Sequence, residues 1–243
     1  MSKVEKVVKW IQDYFEENGK GCKAVIGISG GTDSSVCAAL LVRALGEDRV
    51  LGVMMPEGYQ HDIDVSREVI DFLNISSMTI NIGETCNELR KEISEQFDYD
   101  VYTKDVFRSN TPARIRMAAL YGISGLVNGR VANTCNLSED WVGYSTKCGD
   151  SAGDFSPISH FTKTEVRELG RELGLPQKFI EKIPEDGMSG KSDEEKLGFT
   201  YEVLDHYIRT GEIDDENLKE KIDRMHKANL HKISLMPAYM NED

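Results

Sequence analysis

The stretch Ala24-Val25-Ile26-Gly27-Ile28-Ser29-Gly30-Gly31-Thr32-Asp33-Ser34-Ser35-Val36-Cys37-Ala38-Ala39-Leu40-Leu41 decides the fold. A short apolar run leads into a glycine-rich turn, which opens a second apolar run long enough for a helix. A buried strand that ends in such a turn is the start of a strand-helix-strand unit. With no side chain at Gly30 or Gly31, backbone amides at the helix start can close on an anion. Ser29, Thr32, Ser34 and Ser35 add hydroxyls, and Asp33 puts a carboxylate where a phosphate-bound Mg²⁺ would sit. An ordinary strand-to-helix turn with Ser and Asp caps is the alternative reading of the same residues.

No lysine follows the glycines as a Walker loop requires, and Ser29 takes the place of the second glycine of the dinucleotide fingerprint. What remains, Ser-Gly-Gly-x-Asp-Ser, resembles the pyrophosphate loop of the N-type ATP pyrophosphatases, which cleave ATP to AMP and pyrophosphate. That resemblance implies attack at the α-phosphate of ATP.

Outward from this loop, apolar spacing predicts a helix over 3–17 closed by Asn18-Gly19, a strand over 23–28, and a helix to Leu45 stopped by Gly46. A strand over 49–55 ends at Pro56. Asp62 caps the next helix, and 77–82 alternates as a third strand. A helix from about Pro112 to Leu126, a short strand near 130–133, and a mostly helical remainder from Thr162 follow. Alternating strands and helices predict an α/β fold, a parallel sheet flanked by helices in a Rossmann-like three-layer sandwich. With no repeat and no low-complexity linker, 1–243 reads as one domain with a helical C-terminal part over about 162–243. Pro184–Asp193 reads as a mobile loop. Ligands bind beyond the carboxyl ends of parallel strands, so the loops 29–35, 56–61 and 134–140 should converge.

The chain has 243 residues, 40% of them hydrophobic, and a net charge of −13. That charge argues against a general nucleic-acid binder, because affinity for a phosphate backbone rests on a Lys and Arg surplus. The N-terminus shows no apolar signal region, and no stretch approaches the ~18 apolar residues of a membrane span. A cytoplasmic protein is expected. The five cysteines are dispersed without a Cys-x-x-Cys pair, which reads as reduced thiols.

Thr134 offers a hydroxyl at a strand end, and Glu139 offers either a second metal carboxylate or a helix cap. The Gly- and Ser-rich segment 143–158 places Lys147 and Asp154 to touch a ligand. Lys163 sits at a helix N-terminus, where the dipole disfavours a cation; it either meets a phosphate or is solvated. Arg114 and Arg116 lie in an otherwise apolar helix, so one of them should pair with a carboxylate, in the protein or in the substrate.

Taken together, Ser-Gly-Gly-x-Asp-Ser, Asn-x-x-Ala-Arg-x-Arg-Met (110–117), Thr-x-Asn-x-Ser-Glu (134–139), Gly-Tyr-x-Thr-Lys-x-Gly-Asp-x-x-x-Asp-x-x-Pro-Ile (143–158), Ser-Asp-Glu-Glu-Lys-Leu-Gly-Phe-Thr-Tyr (192–201) and His231-Lys232 resemble the ammonia-dependent NAD synthetases over nearly the full chain. The resemblance implies that ATP, nicotinic acid adenine dinucleotide (deamido-NAD) and ammonia give NAD, AMP and pyrophosphate. It places ATP on Gly27, Ile28, Ser29, Gly30, Gly31, Thr32, Asp33, Ser34, Ser35, Thr134, Lys163 and Glu185, with Mg²⁺ on Asp33 and Glu139. Arg114, Lys147, Asp154, His231 and Lys232 would contact deamido-NAD. Asp33 and Lys163 would act in catalysis, with Asp154 on ammonium. The family is homodimeric, and the helix over 112–126, with Ala119 on it, is the expected subunit surface. The chain departs from the family pattern at Met54-Met55-Pro56, where Arg-Leu-Pro is common, and at Glu185, where Thr or Ser is common. An amidating or tRNA-thiolating relative, or a non-catalytic nucleotide sensor, are the competing readings. Dispersed cysteines and acidic charge speak against thiolation, and paired metal carboxylates against a sensor.

Overall fold

The computed structural model describes residues 1–60, 63–97, 101–181 and 192–239. Asp62, Glu185 and most of the loop predicted over 184–193 lie outside them. The element order is α1 (Lys3–Asn18), β1 (Lys23–Gly27), α2 (Thr32–Leu45), β2 (Val50–Met54), α3 (Ile63–Leu73), β3 (Ser76–Thr79), α4 (Gly83–Ser94), α5 (Val101–Val127), β4 (Gly129–Val131), α6 (Leu137–Val142), α7 (Lys163–Glu172), α8 (Gln177–Ile180), α9 (Asp193–Leu197), α10 (Tyr201–Thr210) and α11 (Glu216–Ile233).

The four strands form a parallel sheet in the order β3-β2-β1-β4. Side chains alternate between its faces. Ala24, Ile26 and Val50 enter one apolar core with α1, α2, α3, α7 and α8; Val25, Leu51, Val53 and Val131 enter a second with α4 and α5. Both faces are covered at the centre of the sheet, which is why β1 and β2 read as apolar runs without alternation in polarity, whereas the edge strand β3 is mostly exposed. A third cluster (Val142, Leu197, Phe199, Tyr201, Leu204 and Ile222) joins α6 to the C-terminal helices.

Two elements differ from expectation. Sequence reading gave no helix over 83–94, where α4 stands; its apolar positions are sparse and only Gly83 and Cys86 are buried. The other is α5, which begins at Val101 and carries Pro112 inside it, where a start at Pro112 was expected. An internal proline cannot donate to the carbonyl four residues back, here that of Arg108. Arg90 on α4 supplies the missing donor: one guanidinium nitrogen reaches the Arg108 carbonyl at 2.6 Å while another pairs with Glu57. No helix among the described residues is long and apolar enough to cross a membrane. All five cysteines are free, and only Cys148 is exposed.

Candidate active site

The strand order runs 3-2-1 and then jumps to 4, so it reverses between β1 and β4. At such a switch point the loops leaving adjacent strands part and open a crevice. The loop after β1 and the loop after β4 border it.

In the β1 loop, Gly30 has φ +76, and a Cβ there would meet the Ser66 backbone nitrogen at 3.0 Å. Only glycine suits both the left-handed conformation and the closeness of α3. The hydroxyls expected to reach a phosphate instead hold the loop in shape. Ser29 Oγ accepts the Gly31 amide at 3.2 Å and pairs with Ser34 Oγ at 3.0 Å, while Ser34 and Ser35 donate to the Gly31 carbonyl. Thr32 is buried and donates to the Ile180 carbonyl, which turns its side chain away from the crevice. Side chains cap the starts of α1, α6, α7, α9, α10 and α11, but none caps α2, whose N-cap is Gly31. Its first-turn amides are the groups left to an anion.

The β4 loop brings the second half. Asn136 caps α6 in a reciprocal box with Glu139, accepting the Glu139 amide at 3.0 Å. Its side-chain nitrogen also donates to Asp33 Oδ1 at 3.0 Å. Lys163, the first residue of α7, sends its ammonium between the two acids, 2.5 Å from Asp33 Oδ2 and 3.3 Å from Glu139 Oε1. The two readings of Glu139 therefore coexist: Oε2 faces the Asn136 amide and Oε1 faces the ammonium. The solvated reading of Lys163 does not hold, because the residue is 1% exposed.

Electrostatics show what this cluster lacks. Burial and the neighbouring Asp33 charge push the Glu139 carboxyl up to about 8, although Lys163 opposes the shift. Burial works against the charge on Lys163, but Asp33 and Glu139 outweigh it and hold the ammonium protonated. The ring of Tyr201 lies 5.5 Å beneath the ammonium, and its hydroxyl donates to Asp193 at 3.4 Å. One cation thus serves two half-buried acids. With both ionised the cluster carries one net negative charge, and the donor set suits Mg²⁺ completed by phosphate oxygens, which bring further negative charge, and by water.

A second group of predicted residues also assembles. Lys147 donates to the His231 carbonyl at 2.8 Å, Arg114 to the Lys147 carbonyl at 3.2 Å, and Lys232 to the carbonyls of Gly143 and Ser145. Gly143, at φ +68, has no room for a side chain because Asn229 of α11 packs against it. Four cationic or titratable residues are thus gathered by main-chain carbonyls, without an ion pair to a carboxylate among the described residues.

Among the described residues neither Arg114 nor Arg116 pairs with a protein carboxylate, which leaves the substrate as the partner of that expectation; Arg116 donates to the Met55 carbonyl at 3.0 Å, and burial lowers its pKa. Asp154 is joined to the sheet edge, not to the Lys163 cluster. Its Oδ2 accepts the Val131 amide at 2.7 Å and its carbonyl accepts the Tyr14 hydroxyl. The 56–60 segment is tied to the loop after β3 through Asn81 and Gly58. Thr134 is half-buried at the β4 end. Sequence reading missed Asn136, although Asn-x-x-Glu is a capping-box signal. It also gave no role to Ser138 or Asp205.

A sequence model of the family described as NAD synthase matches residues 3–239. The NH(3)-dependent NAD(+) synthetase of Alkaliphilus metalliredigens is 38% identical over 241 residues, covering 97% of this chain and 96% of that protein. An NMN synthetase structure from Francisella tularensis superposes with TM-score 0.88 at 32% identity, covering 98% of this chain and 97% of its own. An NH3-dependent NAD synthetase from Campylobacter jejuni, in complex with nitrate, gives 0.77 at 28% identity over 98% and 97% of the two chains.

Proposed function

We propose, since the chain belongs to the NAD synthase family, that it amidates the nicotinate carboxylate of deamido-NAD with ammonia at the expense of ATP. The observation that carries this reading is the buried Asp33–Lys163–Glu139 cluster beside the uncapped start of α2. In the first step the nicotinate oxygen attacks the α-phosphorus, the bond to the bridging oxygen breaks, and pyrophosphate leaves. Ammonia then attacks the acyl carbon of the adenylate, loses a proton, and expels AMP. No protein nucleophile is needed.

The first-turn amides of α2 and the Lys163 ammonium receive the charge that develops on pyrophosphate. Asp33 and Glu139 would hold Mg²⁺, which when bound neutralises phosphate charge and favours departure of pyrophosphate. Thr134 and Glu185 remain candidates for ATP. Arg114, Lys147, His231 and Lys232 form the cationic side suited to the dinucleotide. Asp154 remains the candidate for ammonium. Two copies meeting along α5 complete the reading.

The fit to an NMN synthetase favours one second reading, in which the acid is nicotinic acid mononucleotide. The test supplies ATP, Mg²⁺ and ammonium with either acid and measures AMP, pyrophosphate and kcat/KM. Pyrophosphate release with deamido-NAD preferred is expected. ADP and orthophosphate would sink the mechanism, and preference for the mononucleotide would move the substrate to the second reading.

A further inference from the structure

Asp205 lies on α10, outside every loop that borders the crevice, yet it is only 6% exposed. One of its carboxylate oxygens accepts the Ser138 hydroxyl; the other accepts the Thr164 amide at 2.7 Å. Ser138 Oγ in turn accepts the Lys163 amide at 2.9 Å. Ser138 and Glu139 stand in the first turn of α6, and Lys163 and Thr164 in the first turn of α7. One carboxylate thus joins the starts of the two helices whose side chains meet at 3.3 Å as Glu139 and Lys163. One helical turn before Asp205, on the same face of α10, Tyr201 lies under the Lys163 ammonium.

We propose that Asp205 is a positioning residue for the amidation reaction, fixing the starts of α6 and α7 so that the Lys163 ammonium is held between Asp33 and Glu139. The inference rests on the functional reading above. A carboxylate suits this place because it faces the positive ends of two helix dipoles and takes charge-assisted hydrogen bonds from both. An amide does not suit it, since both oxygens accept. Asparagine removes the charge, and whichever way it turns its Nδ2 replaces one of the two accepting oxygens, facing either the Thr164 amide or the Ser138 hydroxyl that now donates. Misplacing a charge-stabilising group by about 1 Å can cost ~100-fold in rate, so a residue that never touches substrate still governs turnover.

The experiment compares the parent with Asp205→Asn, Ser138→Ala and the double variant. It reads kcat and KM for ATP, the thermal midpoint, and backbone amide exchange at Lys163 and Thr164. Each single variant is expected to lose about tenfold or more in kcat with KM within about threefold, the pattern of weakened transition-state contacts. The double variant should be no slower than the slower single, because both substitutions cut one chain of bonds. The Thr164 amide should exchange faster in Asp205→Asn and the Lys163 amide faster in Ser138→Ala. Parental kcat in either folded variant overturns the proposal, as does a loss of activity that merely follows the loss of folded protein. If Asp205→Asn does not fold, Ser138→Ala decides. Absence of pyrophosphate release by the parent is a separate failure, that of the functional reading, and amide exchange still reports the anchor.

Discussion

Lys163 is costly to bury, and the close pairing with Asp33 at 2.5 Å offsets most of that cost, with Glu139 at 3.3 Å adding less. That arrangement separates the two roles of Glu139. Glu139→Gln retains an oxygen for the Asn136 amide but loses the charge facing Lys163. We expect it to keep the unfolding midpoint near the parental value while turnover falls about a hundredfold, the scale of losing a preorganised electrostatic contact. Asp33→Asn should lose at least as much turnover and some stability besides, since Asp33 accepts from both Asn136 and Lys163. Urea unfolding and steady-state kinetics at saturating Mg²⁺ separate these effects. Near-parental activity in Glu139→Gln would leave that residue a helix cap and nothing more.

At the scale of elements, α5 passes through Pro112 without breaking because α4 lends it a donor. Arg90, itself half-buried, donates to the carbonyl of the exposed Arg108 and pairs with the half-buried Glu57. Arg90→Met leaves an acceptor and an acid without their donor, partly open to water, which should cost about 1 kcal/mol. Pro112→Ala restores an amide four residues after Arg108 and should recover part of that loss when combined with Arg90→Met. Chemical denaturation of the two singles and the double measures it. A double variant no more stable than Arg90→Met would show that the carbonyl is not where the cost arises. This bridge was illegible in sequence, because the donor that rescues a proline comes from another helix 18 residues upstream.

At the scale of the molecule, α5 has two unlike faces. Met117, Leu120 and Ile123 face the sheet, and Ala119 packs at the edge of the same core. The opposite stripe of Ala118, Tyr121, Gly122, Gly125 and Leu126 is exposed, with Leu126 at 87%. The proposed subunit surface therefore shifts from Ala119 to the stripe of Ala118, one residue and about 100° round the helix. Two strongly acidic chains can meet there because the stripe carries no charge. Ala118→Glu is expected to give folded monomers by light scattering, while the parent is a dimer. A dimeric Ala118→Glu protein would place the subunit contact on another face.

The sequence by itself determined the βαβ start, the parallel sheet and the positions of Asp33, Glu139 and Lys163. Each of these rests on short-range physics: apolar periodicity makes strands and helices, glycines free a backbone, and polar residues collect where a strand ends. The family motifs added His231 and Lys232 to Arg114 and Lys147, and the fold brought the four together. Only the tertiary structure decided where each side chain points. It spent the hydroxyls of the phosphate loop inside the loop, turned Thr32 toward α8, tied Asp154 to the sheet edge, and let one ammonium serve two acids. It also recruited Asp205, an unremarked acid in an amphipathic helix. The reason is that hydrogen-bond partners are chosen by proximity in space, and that proximity is set by how α6, α7 and α10 pack after the local elements have formed.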